Sequence, residues 1–263
     1  MTRRGRYRSD EQESQWHYRC HMDTTTNAPR CLIAADDDLL ANFVGVLLNH
    51  GAYQKKRATS IADSTALIGN WRPHLAIVEL DMDAGRGAEL IGERSQKDSV
   101  PVIALAPKGG MRTRLEAFER GADDVLVIPF APEELVARTL ALVKRRHGLT
   151  VEFRPSIALG ELKLDILAQN VRVGDREIQL TPREHSVLYV LAGGAGKPVN
   201  REQLLQYMYG DDAQVMSSNV IDRHVSDLRR KLGGSDTSRE FIETAPGGYL
   251  LRLSQEPVAA DAS

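Results

Sequence analysis

The sequence predicts a doubly wound α/β domain, built on a parallel five-stranded sheet, followed by a smaller α+β domain. Three observations carry this. From residue 31 to about 146, short apolar runs alternate with helical patterns, as parallel strands joined by crossover helices do. "HGLTVEFRPSIA" (147–158) then loses the helical period and carries Gly and Pro, as a linker does. Beyond it, "GELKLDILAQNVRVGDREIQL" alternates apolar and polar residues around the turn pair Gly174-Asp175, the pattern of an antiparallel meander.

In the first domain, strands are expected at 32–35, 54–58, 75–80, 102–105 and 125–128, the second being the weakest. Helices are expected near 38–49, 61–70, 87–95, 111–120 and 131–146. Ligands of such sheets bind at the carboxyl ends of the strands. At that edge "CLIAADDDLL" (31–40) runs into three consecutive acids, and "HLAIVELDMD" (74–83) carries acids at 79, 81 and 83. Two strands that deliver carboxylates this way point to a cation or phosphoryl site. In the second domain "TPREHSVLYVLAGG" opens with Thr181 as N-cap, Pro182 at the first helical position and Glu184 three beyond the cap. Helices near 201–209 and 218–232 follow, then two short strands around "APGG". Three helices and a hairpin predict a winged helix-turn-helix.

With 263 residues the chain is long enough for two cores. A hydrophobic share of 42% and a charged share of 27% are those of a globular protein, and no apolar run reaches membrane-spanning length. Residues 1–30 are polar and basic without an apolar h-region, so a disordered leader and a cytoplasmic protein are expected, with Met22 an alternative start. Cys20 and Cys31 make no disulfide framework. His17, Cys20 and His21 cluster in that leader, without the fixed scaffold a metal site needs. The remaining boundaries are a domain over 31–146, a linker over 147–158, a second domain over 159–254 and a disordered tail over 255–263. "GGAGK" (193–197) follows a helix rather than a strand and has Pro198 where Ser or Thr would hold magnesium, so it reads as a glycine-rich helix exit. No nucleophile–base pair emerges, and no enzymatic activity is expected.

A net charge of −2 does not draw nucleic acid to the whole surface, so any such role needs a local patch. "SSNVIDRHVSDLRRKLG" (217–233) supplies one. Ile221, His224, Val225, Leu228 and Leu232 recur at three and four residues, forming one apolar stripe in which His224 reads as packed core. The opposite face carries Asn219, Arg223, Ser226, Asp227 and Arg230. A recognition helix needs one face held by a core and another that reaches base edges. Arg223 and Asn219 suit bidentate contacts with guanine and adenine, while Arg229, Arg230 and Lys231 suit phosphates.

The second domain resembles the effector domain of OmpR/PhoB-type response regulators through "LTPREHSVLYVLA", "VNREQLL", "SNVIDRHVSDLRRKLG" and "FIETAPGGYLL". The resemblance implies that the helix at 218–232 enters the major groove of double-stranded DNA, that loop 210–217 faces RNA polymerase or a neighbouring subunit, and that the hairpin touches the minor groove. One departure weakens the last point. The wing turn reads Ala245-Pro246-Gly247-Gly248 where the family carries an arginine, with Arg252 nearby.

The first domain resembles a receiver of that family, a flavodoxin-like fold, through "LIAADDDLL", "RPHLAIVELDMDAGRGAEL", "VPVIALA" and "GADDVLVIPF". A receiver uses an aspartate as phosphoryl acceptor, magnesium, a lysine, a Ser/Thr hydroxyl and a signalling aromatic residue. Asp36 and Asp37 match its acid pair, but Glu79 stands at the acceptor, Ala106 at the hydroxyl, Ile128 at the lysine and Val125 at the aromatic position. The extra methylene of Glu79 displaces the carboxylate oxygen by roughly 1.5 Å, and a misplacement of about 1 Å can cost on the order of a hundredfold in rate. Loss of the lysine and the hydroxyl removes the groups that stabilise the transferred charge. Glu79 then reads either as a mimic of a phosphorylated aspartate or, preferably, as a passive acid. No cofactor is expected beyond weak magnesium at Asp36, Asp37 and Glu79, and a cognate histidine kinase is not expected.

The family resemblance also implies a two-fold dimer through charged residues, here Arg114, Asp123, Asp124, Glu134, Arg138 and Arg145. The expected function is an atypical response regulator that binds repeated DNA half-sites as a homodimer without phosphorylation. Two alternatives stay open: a regulator whose altered pocket senses a ligand or partner protein, and a conventional aspartyl-phosphate switch with unusual residues.

Overall fold

The computed structural model describes residues 28–51, 53–92, 100–107, 111–149, 157–194, 196–233 and 241–252. The cluster at His17, Cys20 and His21, most of the leader, most of the linker and the tail lie outside the described residues. Five parallel strands form the first sheet: β1 (Arg30–Ala34), β2 (Gln54–Ala58), β3 (Leu75–Glu79), β4 (Val102–Pro107) and β5 (Asp124–Ile128), in the order β2-β1-β3-β4-β5. Arg30, expected to belong to the leader, opens β1 opposite Gln54. The three central strands are apolar almost throughout because helices cover both faces. β2, the weakest in sequence, is an edge strand whose exposed Gln54, Lys55 and Lys56 need no core period.

The helices of this domain are α1 (Asp38–Leu47), α2 (Ile61–Trp71), α3 (Met82–Gly85), α4 (Gly87–Gly92), α5 (Met111–Glu119) and α6 (Pro132–His147). Side chains from α1 and α6 join the core on one face of the sheet, and those from α2, α4 and α5 join it on the other. Three of these starts have a local cause. Asp37 caps α1 by accepting from the Leu39 and Leu40 N–H groups, Ser60 caps α2, and Pro132 occupies the first turn of α6. Gly148 ends α6 in the left-handed conformation.

The second domain opens two residues earlier than expected. An antiparallel four-stranded sheet runs β6 (Ile157–Leu159), β7 (Leu162–Asp165), β8 (Asn170–Val173) and β9 (Arg176–Ile178). Then come α7 (Pro182–Gly194), α8 (Arg201–Tyr209), a 3-10 segment (Gly210–Val215), α9 (Asn219–Gly233) and the hairpin β10 (Ile242–Ala245) with β11 (Gly248–Leu251). Thr181 and Glu184 exchange their expected capping bonds. Tyr249 and Val199 exchange two backbone hydrogen bonds that pin the hairpin to the start of α8.

A single apolar cluster continues from the first domain into the second. Gly193 is the point of closest approach. A Cβ there would lie 2.8 Å from the Phe43 Cα of α1. "GG" at 193–194 is therefore still helix, and at Gly193 the missing side chain lets α7 sit on α1. α7 ends at Gly194, within the glycine-rich helix exit that the sequence suggests.

Candidate functional site

The acids meet at the carboxyl edge of the sheet. β1 carries Asp36 and Asp37 just beyond its end, and β3 ends on Glu79. The loop after β3 folds back over this edge because Gly87 lacks a side chain, a Cβ there lying 2.1 Å from the Glu79 carbonyl oxygen. Asp83 and Ala84 in α3 take left-handed φ values of 53° and 60°, which cost about 1–2 kcal/mol each for non-glycine residues. Two bonds hold the turn: Asp83 N–H donates to Asp36 Oδ2 at 2.8 Å, and Asp83 Oδ2 accepts from Ile61 N–H at 3.3 Å.

Each acid is thus already engaged. Asp36 receives Asp83. Asp37 uses Oδ1 for the cap of α1 and Oδ2 to accept from the Tyr207 hydroxyl of α8 at 2.8 Å. Arg57 donates to the backbone carbonyls of Ala35 and Asp36 and pairs with Asp38. Glu79 accepts a long contact, 3.5 Å, from Asp37 N–H, with the Asp36 N–H also turned towards its carboxylate. Burial, with the Asp36 and Asp37 carboxylates adding to it, pushes Glu79 up to about 7. Among the described residues, no three acidic, histidine or cysteine side chains are grouped to hold a metal. Asp36, Asp37 and Glu79 do not fit a magnesium site in this arrangement.

Around Glu79 the switch positions are apolar. Ala106 is fully buried in β4, opposite Val127 of β5. Ile128 packs at the edge of the core before a cis Pro129, and Val125 packs against the cluster on the α2–α4–α5 face. At these positions no side chain offers a hydroxyl, an ammonium or a phenol.

Helix α9 divides as its sequence suggests, with two revisions. Ile221, Val225, Leu228 and Leu232 are buried, while Asn219, Arg223, Ser226 and Arg230 are exposed. Arg230 pairs with Asp227 at 3.2 Å. Arg229, expected to contact phosphate, turns to the hairpin instead. It donates to the Ile242 carbonyl and Thr244 hydroxyl and lies over the Tyr249 ring. Lys231, also expected at phosphate, pairs at 2.7 Å with Glu184, whose side chain is 4% exposed. His224 is half-buried with its Nε2 3.3 Å from the Tyr209 hydroxyl, and burial lowers its pKa. Arg252 pairs with Glu243. A second network, Arg201–Asp222–Tyr249, ties α8, α9 and the hairpin together.

On the expected dimer face, Arg138 pairs within the chain with Asp124 and Glu134, both at 2.6 Å. Arg114 is half-buried and Arg145 exposed. Asp123 departs from the expectation: its side chain is 9% exposed, accepts from Val102 N–H and pairs with Arg146. It fastens β5 and α6 to the sheet rather than facing outward. Charge reading missed an apolar stripe beside these residues, Met111, Leu115 and Phe118 of α5, each at least 48% exposed. Its signal in the sequence is the four- and three-residue spacing.

Residues 31–140 match the family described as response regulator receiver domain, and 175–251 match transcriptional regulatory protein, C terminal. The transcriptional regulatory protein PrrA of Mycobacterium leprae is 34% identical over 235 residues, covering 88% of this chain and all of the relative. The KDP operon regulator KdpE of Escherichia coli is 31% identical, with 84% of this chain and 98% of the relative covered. The virulence regulator PhoP of Shigella flexneri is 30% identical, with 85% and 99% covered. A receiver sheet, a winged helix and relatives matched along their whole length place this chain in the OmpR/PhoB-type response regulators, as a transcription factor.

Proposed function

We propose that this regulator works without aspartyl phosphorylation, binding repeated DNA half-sites as a homodimer paired through its receivers. The observation that carries the reading is the surroundings of Glu79. Its carboxyl, pushed up to about 7, is only partly charged at neutral pH, which suits a passive acid better than a phosphoaspartate mimic. Ala106, Ile128 and Val125 leave a transferred phosphoryl group with nothing to stabilise it and nothing to signal through. Incubation with a small-molecule phosphodonor and magnesium tests this. No covalent mass gain is expected, and a gain lost in Glu79→Gln would overturn it.

The dimer would pair the apolar stripe of α5 with the charges on β5 and α6. Asp124, Glu134 and Arg138 would keep their pairs or exchange them across the two-fold. For DNA, Asn219 and Arg223 are the proposed base readers and Arg230 the proposed phosphate contact, with Arg229 and Lys231 reassigned to holding α9 in place. Val215 and Met216, an exposed apolar pair before α9, suit contact with RNA polymerase or a neighbouring subunit. The described helices include none long and apolar enough to cross a membrane, which accords with work on DNA in the cytoplasm.

A further inference from the structure

We infer that the acidic edge of the receiver serves as the docking site of the chain's own DNA-binding domain, with Tyr207 bonded to Asp37 where a receiver would take up a cation. This rests on the reading that the edge no longer handles phosphoryl groups. The contact has a polar and an apolar part. Tyr207 projects from α8 and donates to Asp37 Oδ2 at 2.8 Å. Its ring meets Phe43 of α1 edge-on at 6.2 Å, and Phe43 stacks on Phe130, just beyond β5, at 5.7 Å. Gly193 admits the α1 backbone beside them. A second bond, Gln169 Nε2 to Glu133 Oε1 at 2.9 Å, joins the β7–β8 turn to α6.

Two consequences follow from where this contact lies. Asp37 has no oxygen left over: one caps α1 and the other receives Tyr207. A cation at the acid pair would have to displace the phenol. The docked arrangement also leaves Asn219, Arg223, Ser226 and Arg230 exposed on α9, and Met111, Leu115 and Phe118 exposed on the opposite side of the receiver sheet. Docking therefore fixes the winged helix on the receiver without covering either working surface.

Hydrogen exchange and small-angle scattering of the full chain test this with three variants. Tyr207→Phe removes the hydroxyl alone. Asp37→Ser keeps a capping side chain too short to reach Tyr207. Gly193→Ala drives a Cβ into the backbone of α1. The expected result is at least tenfold faster exchange in α1 and α8 and a larger radius of gyration, greatest for Gly193→Ala. Protection of β3 and β4 should be unchanged, which shows the receiver folded. Wild-type exchange and radius in all three would overturn the inference. Millimolar magnesium should leave wild-type exchange unchanged. Magnesium-dependent loss of protection in α8 would return the acids to cation binding and equally overturn it. Sedimentation of wild-type protein reads the dimer proposal separately, because the dimer face lies on α5, β5 and α6.

Discussion

At Glu79, a carboxyl one methylene longer than aspartate sits half-buried beside Asp36 and Asp37. In the unfolded chain this carboxyl titrates near its ordinary 4.5, and in the fold near 7. Between those values the folded state holds a proton that the unfolded state has lost, so raising the pH lowers stability. The melting temperature of wild-type protein is expected to fall relative to Glu79→Gln between about pH 5 and 8. Parallel melting curves across that window would remove the cause assigned here. Position 79 was fully legible in sequence, because the acceptor strand is framed by apolar residues whose register is fixed. Its titration was not, since burial and the Asp36 and Asp37 carboxylates arise only when β1 and β3 pair. Gly87 is similar: nothing local says that its missing Cβ makes room for the carbonyl of Glu79.

At the scale of an element, α9 shows which part of a helix a sequence can assign. The apolar stripe was readable from spacing, since every third or fourth residue must face α7 and α8. The basic face was not, because Arg229 and Lys231 are claimed by partners distant along the chain, the hairpin and Glu184. Different outcomes are therefore expected from neighbouring arginines. Arg230→Ala should weaken binding to all DNA and lower the salt slope, whereas Arg223→Ala should relax base preference. Equal losses on specific and random duplexes for both would contradict that division. Arg229→Ala should leave the salt slope intact and lower the melting temperature instead. Lys231→Ala removes the cation from Glu184 and leaves its carboxylate with the Thr181 N–H, at a cost of about 1–3 kcal/mol, read by denaturant unfolding. An unchanged midpoint would show that Glu184 finds water instead.

For the whole molecule, both domains could be read as separate units but not as one body. Each strand–helix alternation announces itself within about thirty residues, whereas Phe43, Gly193 and Tyr207 look like ordinary helix positions until the domains meet. For the proposed dimer face, charges in the sequence point to β5 and α6, but Asp123 and Arg138 spend theirs inside the chain. The exposed stripe of α5 is the better indicator of pairing, since contiguous exposed apolar residues mark contact surfaces. Sedimentation at tens of micromolar should show a dimer without any phosphodonor. Leu115→Glu together with Phe118→Glu should yield a monomer with the fold intact. Wild-type monomer under those conditions would remove the dimer proposal.

The apolar lining at Ala106, Ile128 and Val125 has a consequence for the cell. A receiver that accepts phosphoryl groups shares chemistry with every kinase and every small phosphodonor around it, and must be protected from the wrong ones. A receiver with no way to hold the group is deaf to all of them. On the reading developed above, promoter occupancy then follows how many copies are made and how long they last. Control passes from a reversible bond on one side chain to the synthesis and turnover of the protein itself.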